Sequence, residues 1–276
     1  MTPEPVQLDD PRLIPYQALR DKDLARETGL FVAEGFEVVN HLVRSQWKLR
    51  SILVAESRWP RLAERLAAAE SSSAGEGATL PGPVFTAPVS ELSKLVGFPI
   101  HRGVLALGER GSGPDPALEA PGTSVVLALA GLANHDNVGA AFRNAAGFGA
   151  RAVLLDGATA DPLYRKALRV SMGHVLRVPW ARSGAELDVI NRLEMTGHRI
   201  IGLSPGAPLS LERALRDLGS RIAIVVGAEG PGLSTAVLSR VIPASIPMMG
   251  GTDSLNAATA AAIALYAATQ VDRSSH

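Results

Sequence analysis

The sequence predicts an α/β protein of two domains, and three observations carry that prediction. Short apolar runs alternate with helical stretches along nearly the whole chain. In the second half these runs are SVVLALA, RAVLLD, HVLRVPW, HRIIGLS and RIAIVVG, with a shorter one in AVLSRVIPASIP. Their length and helical separation are what a mostly parallel, doubly wound sheet requires. Between the halves, GERGSGPDPALEAPGTS is rich in Gly, Pro and Ser and has almost no apolar periodicity, so it reads as a linker. The boundaries drawn are residues 1–107, a linker at 108–122, and residues 123–276.

In the first domain LFVAEG, SILVAES, PVFTA and GVLALG alternate with helical stretches at Phe36 to Arg44, Arg58 to Ala69 and Val89 to Val96, which implies a small α/β sandwich. SSSAGEGATLPGP reads as a mobile surface loop inside it. In the second domain three apolar runs end in turns of small or polar residues, the arrangement that leaves backbone groups free to hold a ligand at the carboxyl edge of a sheet. The first turn opens NHDNVGAAFRNAAGFGA, where Asp136 or Asn137 would cap a helix, leaving Asn134 near the ligand edge and Arg143 about two turns in. The second is GAEGPGLS, whose Gly227, Gly230 and Gly232 let backbone approach a bulky ligand without a Cβ in the way. By itself it is equally a tight turn after a buried strand. The third is IPMMGGTDSLNAATAAAIALY, in which Ser254 and Asn256 read as a helix N-cap and its first turn, as ligand contacts, or as both.

Composition narrows the class. At 276 residues and 46% hydrophobic content the chain can bury two cores. LNAATAAAIALYAAT is too short to cross a membrane and reads as a helix packed closely on a sheet. MTPEPVQLDD has no basic region followed by an apolar core, so no secretory signal is read and the cytoplasm is the expected location. Zero cysteines exclude thiolate metal sites, and the six histidines lack ligand spacing, so no metal is expected. A nicotinamide dehydrogenase fits poorly, because no G-x-G-x-x-G opens a helix after a strand.

Basic and acidic residues balance at 27 each, which argues against coating nucleic acid through bulk charge. Their distribution is uneven. Arg143 to Arg182 holds seven basic residues against Asp156 and Asp161, and Arg44 to Arg65 holds six against Glu56 and Glu64. Arg165, Lys166 and Arg169 fall at helical spacing, where one face can track phosphates, although solvated surface explains such runs equally well.

The three turns, in order and wording, resemble the SpoU/TrmH-type branch of the SPOUT RNA methyltransferases. Asn134, Asn137-Val138-Gly139 and Arg143 match the first family signature; Gly227, Glu229, Gly230 and Gly232 the second; Ile246-Pro247-Met248 and Ser254-Leu255-Asn256 the third. The first hundred residues resemble the family's front domain through LFVAEGFEVVNHLV and HRGVLALG. The resemblance implies transfer of a methyl group from S-adenosylmethionine to a ribose 2′-hydroxyl of rRNA or tRNA. Methylation of an RNA base, or a non-catalytic RNA scaffold, stands as the alternative. It implies a C-terminal domain with a deep trefoil knot, a front domain resembling a ribosomal-protein fold that grips structured RNA, and a homodimer. It further implies catalytic roles for Arg143, Asn134, Glu229, Ser254 and Asn256, with Glu229 orienting Arg143 through an ion pair. Cofactor contacts are implied at Leu203, Ser204, Pro205, Gly227, Ala228, Glu229, Gly230, Gly232, Ile246, Met248, Leu255 and Asn256. RNA contacts are expected at Arg20, Lys22, Arg26, Arg165, Lys166 and Arg169. In the family Arg143 is often given the part of general base, whereas a guanidinium, which gives up its proton very reluctantly, is better suited as a side-chain type to act as a forked clamp.

Overall fold

A computed structural model describes residues 2–17, 20–72, 82–97, 103–111, 113–114, 116–216, 219–249 and 253–271. Most of SSSAGEGATLPGP, with His101 and Arg102, lies outside the described residues. The chain forms two compact units, Met1–Gly113 with Leu163–Arg177, and Pro114–Pro162 with Val178–His276.

The first unit holds β1 (Glu4–Pro5), α1 (Asp21–Thr28), β2 (Leu30–Glu34), α2 (Phe36–Val43), β3 (Leu49–Ala55), α3 (Trp59–Ser72), β4 (Val84–Ala87), α4 (Val89–Val96) and β5 (Val104–Glu109). Its sheet runs β1-β4-β3-β5-β2, with β5 antiparallel to both neighbours. One face buries Leu13, Leu24, Leu53, Phe85, Leu92 and Leu105 in a single core. Gly108 in β5 is required by its neighbour: a Cβ there would lie 2.2 Å from the Phe31 ring. β1, α1 and a 3₁₀ turn at Pro11–Tyr16 are elements that apolar periodicity missed, because each is short or mostly polar.

The second unit begins with β6 (Ser124–Leu129), α5 (His135–Gly147) and β7 (Ala152–Leu155). The chain then leaves it to form α6 (Arg165–Val170) and a 3₁₀ turn at His174–Leu176, both packed within the first unit. It returns for β8 (Trp180–Arg182), α7 (Glu186–Met195), β9 (Arg199–Leu203), α8 (Leu211–Ala214), β10 (Arg221–Val226), α9 (Thr235–Leu238), β11 (Ile242–Ala244) and α10 (Ala257–Val271). The sheet order is β11-β9-β10-β6-β7-β8 and every pairing is parallel. Helices cover both faces, which is why every residue of β6 is buried and its sequence is a continuous apolar run. Ala141 and Ala145 on α5 and Ala261, Ala264 and Ala268 on α10 are buried, and these small side chains let the two helices pack closely. Among the described residues no helix is long and apolar enough to cross a membrane.

Three sequence expectations are corrected. HVLRVPW is a strand only at its end: Gly173 has φ 84° and starts the 3₁₀ turn, and extended pairing begins at Trp180. Residues 163–177, placed by sequence in the C-terminal domain, pack in the first unit instead. Arg165 bonds Asp21 at 2.8 Å through Nε, the His41 and His174 rings lie 5.2 Å apart, and Gly173 sits against the Val38 backbone, where a Cβ would come within 3.1 Å. The linker is also shorter than its composition implied. Leu118 is buried in the second unit's core, Arg221 donates to the carbonyls of Leu118 and Ala120, and Arg151 donates to those of Pro121 and Thr123.

His198, 5% exposed, bridges Ser124 Oγ at 3.1 Å and Thr196 Oγ1 at 2.9 Å. Burial, with Arg221 nearby, pushes its pKa down to about 4, and burial with His174 and Arg177 nearby does the same to His41. Both histidines fold neutral, whereas the unfolded chain takes up protons near pH 6.5. Their contribution to stability is therefore complete above about pH 6.5 and is lost as pH falls toward 4. Urea midpoints at pH 7.5 should exceed those at pH 5, and His41→Gln with His198→Gln should flatten the difference.

Candidate functional site

The parallel strands β11, β9, β10 and β6 are neighbours and end at the same edge, so their following turns meet. A cavity of about 630 Å³ opens there, between the ends of β9, β10 and β11 and the start of α10. All twelve positions expected to contact cofactor border it: Leu203, Ser204 and Pro205 after β9; Gly227, Ala228, Glu229, Gly230 and Gly232 after β10; and Ile246, Met248, Leu255 and Asn256 from the third segment. Ser254 lies beside them and is exposed. Leu203, Ile246, Met248 and Leu255 give apolar walls, and the glycine turn supplies backbone polar groups.

The turn is built for close backbone approach. Gly232 N–H donates to Ala228 C=O at 3.0 Å, and Gly230 and Gly232 hold φ of 88° and 68°. The backbone folds back so tightly that a Cβ on Gly227 would sit 2.4 Å from the Gly232 carbonyl carbon. Glycine at 227 is therefore a steric requirement of the turn.

One polar cluster ties the three segments together. Asn137 Nδ2 donates to Glu229 Oε1, Asn256 Nδ2 donates to Asn137 Oδ1 at 2.8 Å, and it also approaches Glu229 Oε1 at 3.4 Å. Asn256 Oδ1 meanwhile accepts from the N–H groups of Ala258 and Thr259 at 3.0 and 3.2 Å, so Asn256 is the N-cap of α10. Ser254 is not that cap. Asn144, seven residues beyond Asn137 and hence on the same face of α5, donates to Ala258 C=O at 2.8 Å.

This geometry corrects the reading of the first segment. Asn134 is the N-cap of α5, its side chain accepting from Asp136 N–H at 2.8 Å, and it is exposed outside the cavity lining. Starting the helix there turns Asn137, 5% exposed, into the cluster. Asn137, read from the sequence as a candidate helix cap and a signature position, was given no site contact there. Its signal was present in the pair Asn137 and Asn144 at heptad spacing, which only one helix start directs toward a neighbour. Glu229 does not pair with Arg143; two amide donors engage it instead. Arg143, six residues after Asn137, leaves α5 on a different face, is exposed, and makes no hydrogen bond or ion pair among the described residues.

The basic residues converge differently from expectation. α1 and α6 both pack on β2, so Arg20, Lys22, Arg26, Arg165, Lys166 and Arg169 belong to one unit. Arg165 is taken up by Asp21 through Nε and backbone N–H, and Arg26 pairs with Asp23 and Glu27. Arg20, Lys22, Lys166 and Arg169 are exposed.

Removing the cap should be measurable in the folded protein alone. Asn256→Ala loses the α10 N-cap and leaves Asn137 short of a donor, an expected cost of about 1–3 kcal/mol in denaturant unfolding. Asn134→Ser keeps a capping oxygen and should cost about 0.5 kcal/mol or less.

Comparison with known proteins identifies the family and the fold. The family model described as the SpoU rRNA Methylase family matches residues 124–266, which span β6 to most of α10. A tRNA/rRNA methyltransferase of Mycobacterium tuberculosis, described as uncharacterized, is 40% identical over 270 residues, covering 95% of this chain and 90% of that protein. Among solved structures, an rRNA methyltransferase from Sinorhizobium meliloti with AdoMet bound shares the fold at a TM-score of 0.80, with 24% identity, 97% of this chain and 98% of the other covered. A protein described as an RNA 2′-O ribose methyltransferase aligns at a TM-score of 0.76 and 25% identity over 99% of this chain and 100% of its own. With its three signature turns gathered at one sheet edge and the family match running from β6 into α10, the chain belongs to the SpoU rRNA methylase family.

Proposed function

We propose that this RNA methyltransferase of the SpoU family takes S-adenosylmethionine as its cofactor and methylates a ribose 2′-hydroxyl of a structured rRNA or tRNA. The observation that carries this is the joining of all three signature segments through Asn137, Glu229 and Asn256, at the mouth of a cavity whose floor requires glycine at 227. The cavity fits the cofactor in size and in chemistry: about 630 Å³, apolar walls for an adenine ring, and a tight turn of backbone N–H and C=O groups to read its edge. When bound, S-adenosylmethionine supplies an already activated methyl group, so the residues around it have mainly to align the acceptor and manage its proton.

Leu203, Ile246, Met248 and Leu255 would enclose the adenine, with the 227–232 turn and Ser204-Pro205 presenting main-chain groups. Glu229 holds the amides of Asn137 and Asn256 in fixed orientation, which keeps the β10 and α10 sides of the cavity in register. Ser254 stands at the rim, where a hydroxyl can meet a ribose or phosphate. Asn134 serves by setting the register of α5. Arg143 acts as a clamp: its guanidinium fork engages the ribose and adjacent phosphate and stabilises the developing alkoxide charge. Among the described residues it makes no hydrogen bond or ion pair, which supports this, because an internal ion pair would have to break before RNA could be held.

In this reading the second unit performs the transfer and carries the deep trefoil knot that the family resemblance implies, with the turns after β10 and β11 enclosing the cofactor. The first unit, with Arg20, Lys22, Lys166 and Arg169 exposed, grips RNA. The protein works in the cytoplasm as a homodimer; exposed Ile263 and Tyr266 on α10, at 38% and 54%, support pairing through that helix.

Gly227→Ala should abolish S-adenosylmethionine binding in calorimetry while the first unit stays folded, and near-normal affinity would falsify the cavity assignment. Arg143→Ala should leave cofactor affinity intact and lower single-turnover methylation about a hundredfold or more. Arg143→Lys should recover little of that rate, since an ammonium lacks the fork. Mass analysis of nucleosides from the methylated RNA decides the acceptor: a methylated sugar supports the reading, and a methylated base overturns it.

A further inference from the structure

Away from the cavity lining, a second polar network sits under the start of α5. Asp156, the residue after β7, is 5% exposed, and its Oδ1 accepts three hydrogen bonds: from Gly131 N–H at 3.0 Å, Thr159 N–H at 2.8 Å and Thr159 Oγ1 at 2.6 Å. Thr159 Oγ1 in turn accepts from Leu132 N–H at 3.3 Å, and Ala160 N–H donates to Leu132 C=O at 2.8 Å. Arg182, at the end of β8, donates to the carbonyls of Asp156 and Thr159, both at 2.7 Å, and to that of Ala160 at 3.2 Å. The loop after β7 is thus held from below by a guanidinium and itself holds the loop after β6. That second loop leads directly into Asn134, the cap of α5, and one turn later into Asn137.

A carboxyl oxygen with three donors and a buried threonine is an expensive arrangement to bury if it only fills space, because each polar atom must find a partner. Here the network ties the loop after β7 to the segment that leads into α5 at three points: Gly131 N–H, Leu132 N–H and the Leu129 carbonyl, which Thr159 Oγ1 also approaches at 3.0 Å. Gly131 also approaches the glycine turn: a Cβ on it would lie 3.3 Å from the Ala228 side chain, so a shift of this loop is felt there.

Resting on the function proposed above, we infer that Asp156 and Thr159 are positioning residues for the transfer: they set the start of α5 so that the Asn137 amide meets Glu229 and Asn256 and Arg143 faces the acceptor. They touch neither the cavity nor the acceptor, so their effect should appear in the rate at saturation and not in cofactor affinity.

The test uses the full chain with Asp156→Ala, Asp156→Asn, Thr159→Val and Thr159→Ser. Single-turnover methylation at saturating cofactor and RNA, cofactor affinity by calorimetry, and the NMR signal of the Asn137 side-chain amide, assigned through Asn137→Ser, are measured for each. Asp156→Ala and Thr159→Val should lower the saturated rate by about tenfold or more, leave the cofactor dissociation constant within about threefold, and shift the Asn137 amide signal. Asp156→Asn keeps the accepting oxygen and Thr159→Ser keeps the hydroxyl, so both should recover most of the rate and the signal. Should Asp156→Ala fail to fold, the shape-conserving Thr159→Val decides alone. A normal rate with an unmoved Asn137 signal in Thr159→Val overturns the inference, as does a loss of rate that the conservative variants do not recover. If the wild-type chain methylates no RNA ribose, the proposed function fails, and the Asn137 signal still decides whether this network positions α5.

Discussion

The contact on which the site depends is the meeting of Asn137, Glu229 and Asn256. Each comes from a different signature segment, and the buried member, Asn137, has an amide that would be costly to leave unpaired. Asn256 is doubly committed, since the amide oxygen caps α10 while the amide nitrogen reaches Asn137 and Glu229. The residue that starts α10 is therefore also the one that ties it to α5. Asn144 adds a second tie between α5 and the first turn of α10, and the alanines along both helices let them approach closely enough for these short side chains to span the gap.

The same cluster explains why Arg143 is available. Glu229 would be the natural partner of an arginine on a neighbouring helix, yet two amides already engage its oxygen. Neutral donors hold the carboxylate in place without consuming the cation, and Arg143 leaves the helix on another face, toward solvent. The structural role and the charged group are thereby carried by different residues.

Charge is distributed on a similar principle. Overall neutrality hides a unit in which α1 and α6, far apart in sequence, pack on the same strand. Asp21 and Arg165 join them, so one basic residue is used for assembly while Lys22, Lys166 and Arg169 remain exposed. Segment 163–177 brings four basic residues and no acidic one into the first unit, although the chain on either side of it belongs to the second. A cut at the linker would therefore strip α6 of its packing, and the two units are not separable pieces of sequence.

The amino-acid sequence by itself determined whatever depends on neighbours along the chain. The parallel sheet was legible because strands buried on both faces are continuous apolar runs, and the glycine turn after β10 because Gly227, Gly230 and Gly232 are demanded by local backbone shape. The third segment was legible as a helix start for the same reason, though the choice of Asn256 over Ser254 as its cap was not. What only the tertiary structure decided depends on partners far along the chain. Asn134 and Asn137 are both plausible at a helix start, and a shift of three residues exchanges cap for contact; the choice is made by Glu229 and Asn256, which lie 92 and 119 residues beyond Asn137. Likewise nothing local distinguishes Arg165, held by an aspartate 144 residues earlier, from Arg169, which is exposed. Periodicity reports which face of an element is buried, whereas the identity of the group on the other side is a property of the fold.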